Sequence, residues 1–249
     1  MGTTVTVEIV DPRPAARLAA LADEVFAFLH EVDARFSTYR ADSEVSRLNA
    51  GDPVEPSPVL REVLARCSDL WRRTNGYFDA YATGRLDPSG FVKGWAVQVA
   101  SDRLLAAGAV NHCVDAGGDV RARGRSASGQ PWRIGIRHPF QRDAVCAVVT
   151  GTDLAAATSG VYERGPHVLD PFTGAPARGL RSVTVVGPDL GEADALATAA
   201  LAMGPAGIAW LSTVEGYASA VVTDDGRFLC SANLDRKSTR LNSSHLGIS

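Results

Sequence analysis

The chain has 249 residues, 45% of them hydrophobic and 21% charged, and its formal net charge at pH 7 is -3. This composition is typical of a globular protein with a substantial core, and it excludes a chain too polar to fold. Lysine and arginine are scattered along the sequence, so we expect no basic surface that would gather nucleic acid or anionic lipid.

The amino terminus and the cysteines indicate a cytoplasmic protein. Residues 1–10 contain neither a basic segment nor a long apolar run, which predicts no secretory signal and no membrane span. The four cysteines are far apart and lack the spacing of a zinc site. We therefore expect reduced thiols, mostly buried, in a protein that stays in the cytoplasm.

The first part of the chain is predicted to contain one strand and three helices. Alternating residues predict a strand over 3–10, and apolar residues at i, i+3, i+4 spacing predict a helix over about 15–36. Ser57-Pro58 is typical of a helix start, and Asn75-Gly76 of its end. A third helix is expected over roughly 91–107.

β-Structure is predicted to dominate from residue 110 onwards. Strands are expected over residues 110–123, 132–138, 181–186, 217–223 and 227–231. An alanine-rich helix over 192–203 ends at Gly204-Pro205. This interleaving predicts an α+β fold with mixed sheets in a single domain over residues 1–235.

The last residues do not fit this pattern. Residues 237–249 read KSTRLNSSHLGIS, a polar run without periodicity that resembles a translated adaptor. We expect residues 236–249 to be a disordered and dispensable tail.

The most informative segment is residues 76–96, GYFDAYATGRLDPSGFVKGWA. Its glycines would let a bulky ligand approach the backbone, the start of a helix offers N–H groups to phosphate, and Lys93 adds a positive charge. These features suit a pyrophosphate. The alternative is that the glycines serve turns and Lys93 is a solvated helix residue.

Two further motifs offer a candidate cation site and a candidate base. Asp194 and Thr198 share one helix face, where both could bind a hard cation such as Mg²⁺; alternatively, Asp194 only favours the helix dipole and Thr198 bonds back to a carbonyl. His167 could take a proton from an attacking hydroxyl, although a lone histidine is more often a structural donor. Residues 113–120, CVDAGGDV, lack the spacing of a dinucleotide loop. We interpret them as a strand pinched at Gly117-Gly118, where the backbone passes close to a neighbour or to a flat ligand.

In this order, the motifs resemble the ApbE family of FAD:protein FMN transferases, from residue 1 to about residue 204. Five blocks carry the resemblance: STYRADSEVSRLN (37–49), the segment from Phe78-Asp79 to Lys93-Gly94, DAGGD (115–119), TSG (158–160) with HVLDPFTG (167–174), and ADALAT (193–198). The spacer between Asp79 and Asp87 is short for the family, and Pro88-Ser89 stands where many members have an apolar residue and glycine.

The resemblance implies a T-fold-like domain with mixed or antiparallel sheets flanked by helices and an FAD cleft between lobes. It implies Mg²⁺-dependent transfer of FMN from FAD to a threonine or serine of an acceptor protein, with release of AMP. The implied metal ligands are Asp194, Thr198 and the carbonyl of Gly90. The implied catalytic residues are His167, Asp194 and Lys93. The implied FAD contacts are Met1, Tyr39, Tyr77, Phe78, Asp79, Asp87, Lys93 and Leu169.

Two other functions fit the same residues. A Mg²⁺-dependent FAD pyrophosphatase would let water attack and would release FMN and AMP. A non-catalytic flavin-binding module would leave FAD intact. The sequence does not identify the acceptor protein.

Overall fold

The computed structural model describes residues 3–53, 55–141, 143–161, 168–235 and 238–239. Their helices are α1 (Ala15–Phe36), α2 (Glu44–Ala50), α3 (Pro58–Arg73), α4 (Ser89–Ala106), α5 (Leu190–Met203), α6 (Ala206–Leu211) and α7 (Ala232–Asp235). Their strands are β1 (Val5–Ile9), β2 (His112–Ala116), β3 (Asp119–Arg123), β4 (Trp132–Arg137), β5 (Val145–Gly151), β6 (Asp153–Gly160), β7 (Leu180–Gly187), β8 (Ala218–Thr223), β9 (Phe228–Cys230) and β10 (Ser238–Thr239).

The long predicted helices are confirmed, and their ends follow the expected chemistry. Ser57 caps α3 by accepting a hydrogen bond from the Leu60 N–H, and Asn75 and Gly76 follow the helix with positive φ angles. The short helix α2 was not predicted, because seven residues carry too little periodicity. Its signals are the cap at Ser43 and the left-handed Gly51.

Two antiparallel sheets organise the strands. The larger one has the order β1-β2-β3-β6-β7-β8-β9, and the smaller one has the order β10-β5-β4. Helices α4 and α5 pack on the larger sheet. The predicted α+β class is therefore confirmed, with antiparallel pairing throughout the described strands.

The predicted strand over residues 110–123 is in fact a hairpin. Strands β2 and β3 are joined by Gly117 and Gly118, whose φ angles of +62° and +93° suit a two-residue turn with both residues left-handed. A methyl group on Gly117 would collide with Oγ1 of Thr3. The expected close approach of backbone to a neighbour at this place is confirmed, and the neighbour is the amino-terminal segment.

Helix α5 is buried on nearly all sides. Every residue from 193 to 202 except Thr198 is buried, which fits its alanine-rich composition. It crosses α4 at two glycines, Gly94 of α4 and Gly191 of α5, where the missing side chains let the backbones approach closely. This crossing positions the polar residues of both helices.

The expectations about the cysteines, membrane spans and the C-terminal tail are only partly confirmed or tested by the structure. Cys67, Cys113, Cys146 and Cys230 are free thiols, but the expectation that most of them are buried is wrong, because only Cys67 is buried. Burial raises the pKa of Cys67 to about 12. No helix within the described residues has the length and hydropathy needed to span a bilayer; the cytoplasmic location stays a prediction. Of the expected tail only Ser238–Thr239 is described, and it pairs with Val149 and Val148 of β5.

A buried histidine makes the stability of this fold depend on pH. His112 is fully buried, and its ring nitrogens contact Oγ of Ser101 and the carbonyl of Ala109, each at 2.7 Å. Burial lowers the pKa of His112, the Ala109 contact opposes this, and the positive charges of Arg123 and Arg121 add to the lowering.

The free energy of unfolding should therefore be highest above pH about 6.5 and should fall as the pH drops below that value. In this range His112 is protonated in the unfolded chain but stays neutral in the folded one. The free energy of unfolding therefore falls by up to about 1.4 kcal/mol for each unit by which the pH drops. Urea unfolding at pH 7.5 and 5.5 measures the loss. A His112→Gln variant with an equally steep loss would show that another group is responsible.

Candidate functional site

A cavity of about 690 Å³ opens beside the carboxyl end of α1, the loop before α4 and the first turns of α4 and α5. Ten residues singled out from the sequence line it: Tyr39, Tyr77, Phe78, Asp79, Asp87, Gly90, Lys93, Leu169, Asp194 and Thr198. Met1 and His167 lie outside the described residues. The fold thus brings together motifs that are up to 159 positions apart in the sequence, from Tyr39 to Thr198.

Lys93 is held by a buried carboxylate. Its Nζ lies 2.8 Å from Oδ2 of Asp119, which is 0% exposed, whereas the lysine side chain is 25% exposed. Oδ1 of Asp119 accepts a hydrogen bond from the Thr158 N–H at 3.2 Å. Lys93 is therefore not the solvated helix residue of the alternative interpretation, because Asp119 holds its ammonium group against the cavity wall.

Asp194 lies deep in the site and points across to α4. It is 2% exposed, and its Oδ2 accepts a hydrogen bond from the Gly94 N–H at 3.0 Å. Burial, and next the negative charge of Asp119, raise the pKa of Asp194 well above its usual range, while the charge of Lys93 lowers it. The helix cap is supplied by Asp189, which accepts from the Glu192 N–H, so Asp194 does more than favour the helix dipole.

Gly90 and Thr198 face each other beside Asp194. A methyl group on Gly90 would lie 3.4 Å from Oγ1 of Thr198, and that hydroxyl is 3.0 Å from Oγ of Ser159 on β6. A regular helix would pair the Gly94 N–H with the Gly90 carbonyl. Here Oδ2 of Asp194 accepts from the same N–H, and Gly90 lines the cavity.

Aromatic and acidic side chains form the outer part of the cavity. The Tyr77 ring packs edge-on against Phe172 with 4.9 Å between centroids, and Tyr39 is 93% exposed at the rim. The carboxylates of Asp79 and Asp87 each accept a backbone N–H two residues further on. These two aspartates shape the loop in addition to lining the cavity.

Asp119 is a site residue whose role the sequence patterns do not predict. Its motif, DAGGD, was recognised, but the aspartate was assigned no role. Gly117-Gly118 is the sequence signal for its position. These two left-handed glycines end β2 and place Asp119 at the start of β3. Only the sheet order, with β3 next to β6, brings it to Lys93 and Thr158.

Comparison with known proteins shows which family this chain resembles. The family model described as "ApbE family" matches residues 1–84 and 81–221. An FAD:protein FMN transferase of Vibrio cholerae is 30% identical over 265 residues, covering 82% of this chain and 79% of the relative. That of Escherichia coli K12 is 34% identical over 277 residues, covering 85% and 79%.

Solved structures agree in fold. The flavin transferase ApbE of Vibrio cholerae superposes with a TM-score of 0.84 at 27% identity, covering 95% of this chain and 96% of the other. The apo form of the flavinyl transferase ApbE of Pseudomonas stutzeri superposes with a TM-score of 0.80 at 31% identity, covering 95% and 93%.

Proposed function

Because the chain belongs to the ApbE family, we propose that it is an FAD:protein FMN transferase. It moves FMN from FAD to a threonine or serine hydroxyl of an acceptor protein. The acceptor oxygen forms a bond to the flavin-side phosphorus, the bond from that phosphorus to the bridging oxygen breaks, and AMP leaves with the bond electrons. The hydroxyl proton passes to a base.

The observation that carries this proposal is the cluster of Lys93, Asp119 and Asp194 at one end of the cavity. Phosphoryl transfer mainly requires that the nucleophile and leaving group be held in line while cations neutralise the phosphate oxygens. Lys93 supplies one fixed cation, held by Asp119 at 2.8 Å. The cavity is in the size range of small-molecule sites.

The same cluster fits Mg²⁺. Oδ2 of the buried Asp119 forms an ion pair with Lys93 at 2.8 Å, and the buried Asp194 lies close enough to feel both of these charges. Such a cluster lacks positive charge, and a hard cation with oxygen ligands would supply it. We propose Asp194, Thr198 and the Gly90 carbonyl as ligands, and Mg²⁺ there would neutralise charge on the diphosphate.

The other residues bind and orient the dinucleotide. We propose that Tyr39, Tyr77, Phe78 and Leu169 contact the flavin part, because they supply the aromatic and apolar surface of the cavity. Asp79 and Asp87 would accept hydrogen bonds from FAD. His167 is proposed as the base that takes the proton of the acceptor hydroxyl, on the resemblance alone, since it lies outside the described residues.

A transfer assay tests the proposal. The protein is mixed with FAD, MgCl₂ and candidate acceptor proteins; the products are then separated on a denaturing gel for flavin fluorescence and by chromatography for FMN and AMP. We expect a fluorescent acceptor band and AMP, both abolished by EDTA. Free FMN without a labelled band would identify a pyrophosphatase, and intact FAD in every mixture would identify a binding module.

A further inference from the structure

Helices α4 and α5 are joined by two hydrogen bonds in matched positions. The Gly94 N–H donates to Oδ2 of Asp194 at 3.0 Å, and the Leu190 N–H donates to Oε1 of Gln98 at 3.1 Å. Gly94 and Gln98 are four residues apart on α4, and Leu190 and Asp194 are four residues apart on α5. Since residues four apart share a helix face, the two bonds are successive links between antiparallel helices.

Gln98 is itself anchored to the sheet. Its Oε1 also accepts a hydrogen bond from Nε of Arg121 at 3.0 Å, and its Nε2 donates to Oδ1 of Asp102 at 3.1 Å. Arg121 is 3% exposed and forms an ion pair with Asp153 at 2.5 Å. One side chain on α4 therefore connects the first residue of α5 to strand β3.

Apolar packing alone specifies the position of α5 poorly. Its surface is almost uniformly buried and rich in alanine, so rotation or sliding would exchange one small apolar contact for another. The close crossing at Gly94 and Gly191 brings the backbones together without fixing which residues face each other. Directional hydrogen bonds between buried or partly buried polar groups do fix this.

We propose that Gln98 is a positioning residue of the metal site. By holding the Leu190 N–H, it sets the register in which α5 presents Asp194 and Thr198 to Gly90 of α4. The Leu190 N–H belongs to the first turn of α5 and has no acceptor within its own helix. This inference rests on the proposed function, because it concerns the affinity of the proposed Mg²⁺ site.

The test is a titration of the full chain with Mn²⁺, a spectroscopic substitute for Mg²⁺, followed by electron paramagnetic resonance without FAD. Gln98→Met keeps the length of the side chain and removes its polar atoms. We expect it to raise the Mn²⁺ dissociation constant about tenfold, the lower end of the effect of removing groups that orient metal ligands. If Gln98→Met does not fold, Gln98→Asn replaces it, since its amide is one methylene too short to reach Leu190.

Two further variants separate positioning from general loosening. Gln98→Glu keeps an oxygen for both Leu190 and Arg121; it is combined with Asp102→Asn, whose amide can donate to the new carboxylate, and should then restore Mn²⁺ affinity to within about threefold of the original chain. Asp102→Ala is the matched control: it removes the outer partner of Gln98, together with the ion pair of Arg123, and leaves the Leu190 bond, so it should bind Mn²⁺ normally.

These measurements distinguish the positioning role of Gln98 from the existence of the proposed metal site. Unchanged Mn²⁺ affinity in a folded Gln98→Met or Gln98→Asn variant, or an equal loss in Asp102→Ala, would overturn the positioning role while the proposed function stands. Failure of the original chain to bind Mn²⁺ would overturn the proposed metal site, and this inference with it.

Discussion

Replacing Asp194 with asparagine is expected to lower the rate of FMN transfer by about two to three orders of magnitude, which is typical for the loss of a group that stabilises transition-state charge. The substitution keeps the shape of the side chain and an oxygen for the Gly94 N–H. It removes the negative charge with which the site would hold Mg²⁺. The loss should appear in the turnover number for labelled acceptor at saturating FAD.

The control for this variant is Asp69→Asn, which neutralises a carboxylate on α3 whose ion pairs, in the described part of the chain, are with the surface residues Arg72 and Arg73. It should transfer FMN at the original rate. Raising the Mg²⁺ concentration should recover part of the Asp194→Asn activity, since the defect lies in cation binding. A normal rate in Asp194→Asn at low Mg²⁺ would show that the metal ligands are wrongly assigned.

Replacing Gly94 with alanine should destabilise the fold by about 1 to 3 kcal/mol, the usual effect of overpacking a tight contact. The added methyl group would lie 2.8 Å from Cβ of Asp194 and closer still to the carbonyl oxygen of Leu190. In an unhindered helix, the same change would stabilise by about 1 kcal/mol. The sign of the effect in urea unfolding therefore tests whether α4 and α5 cross at this glycine.

The helices must separate to admit that methyl group, so Gly94→Ala should also lose most of its transfer activity at temperatures where it remains folded. Gly226→Ala provides the comparison, because Gly226 has no neighbouring atom within 4 Å of an added methyl group. Its positive φ of 84° should cost about 1 kcal/mol without affecting transfer. Equal transfer rates in the two variants would show that FMN transfer does not depend on the close crossing of α4 and α5.

The sequence predicted the elements whose signals are local. Helices α1 and α3 have long apolar stripes and recognisable ends, and the closing hairpin of β8 and β9 has its turn signal at Asp224-Asp225-Gly226. Strands β5 and β6 were not delimited, because a buried strand next to a neighbour on both sides lacks clear alternation. The short helix α2 was not predicted, because its seven residues are too few to show a helical period.

For the site, the sequence by itself determined which residue types were available and, through the order of its motifs, the family to which the chain belongs. It did not determine that Asp119 holds Lys93, or that Gln98 connects α5 to β3. These pairs join segments 23 to 92 positions apart. Their meeting depends on strand order and on the glycine crossing of two helices, and no local pattern encodes either, because tertiary contacts form only when the whole sheet and its helices pack together.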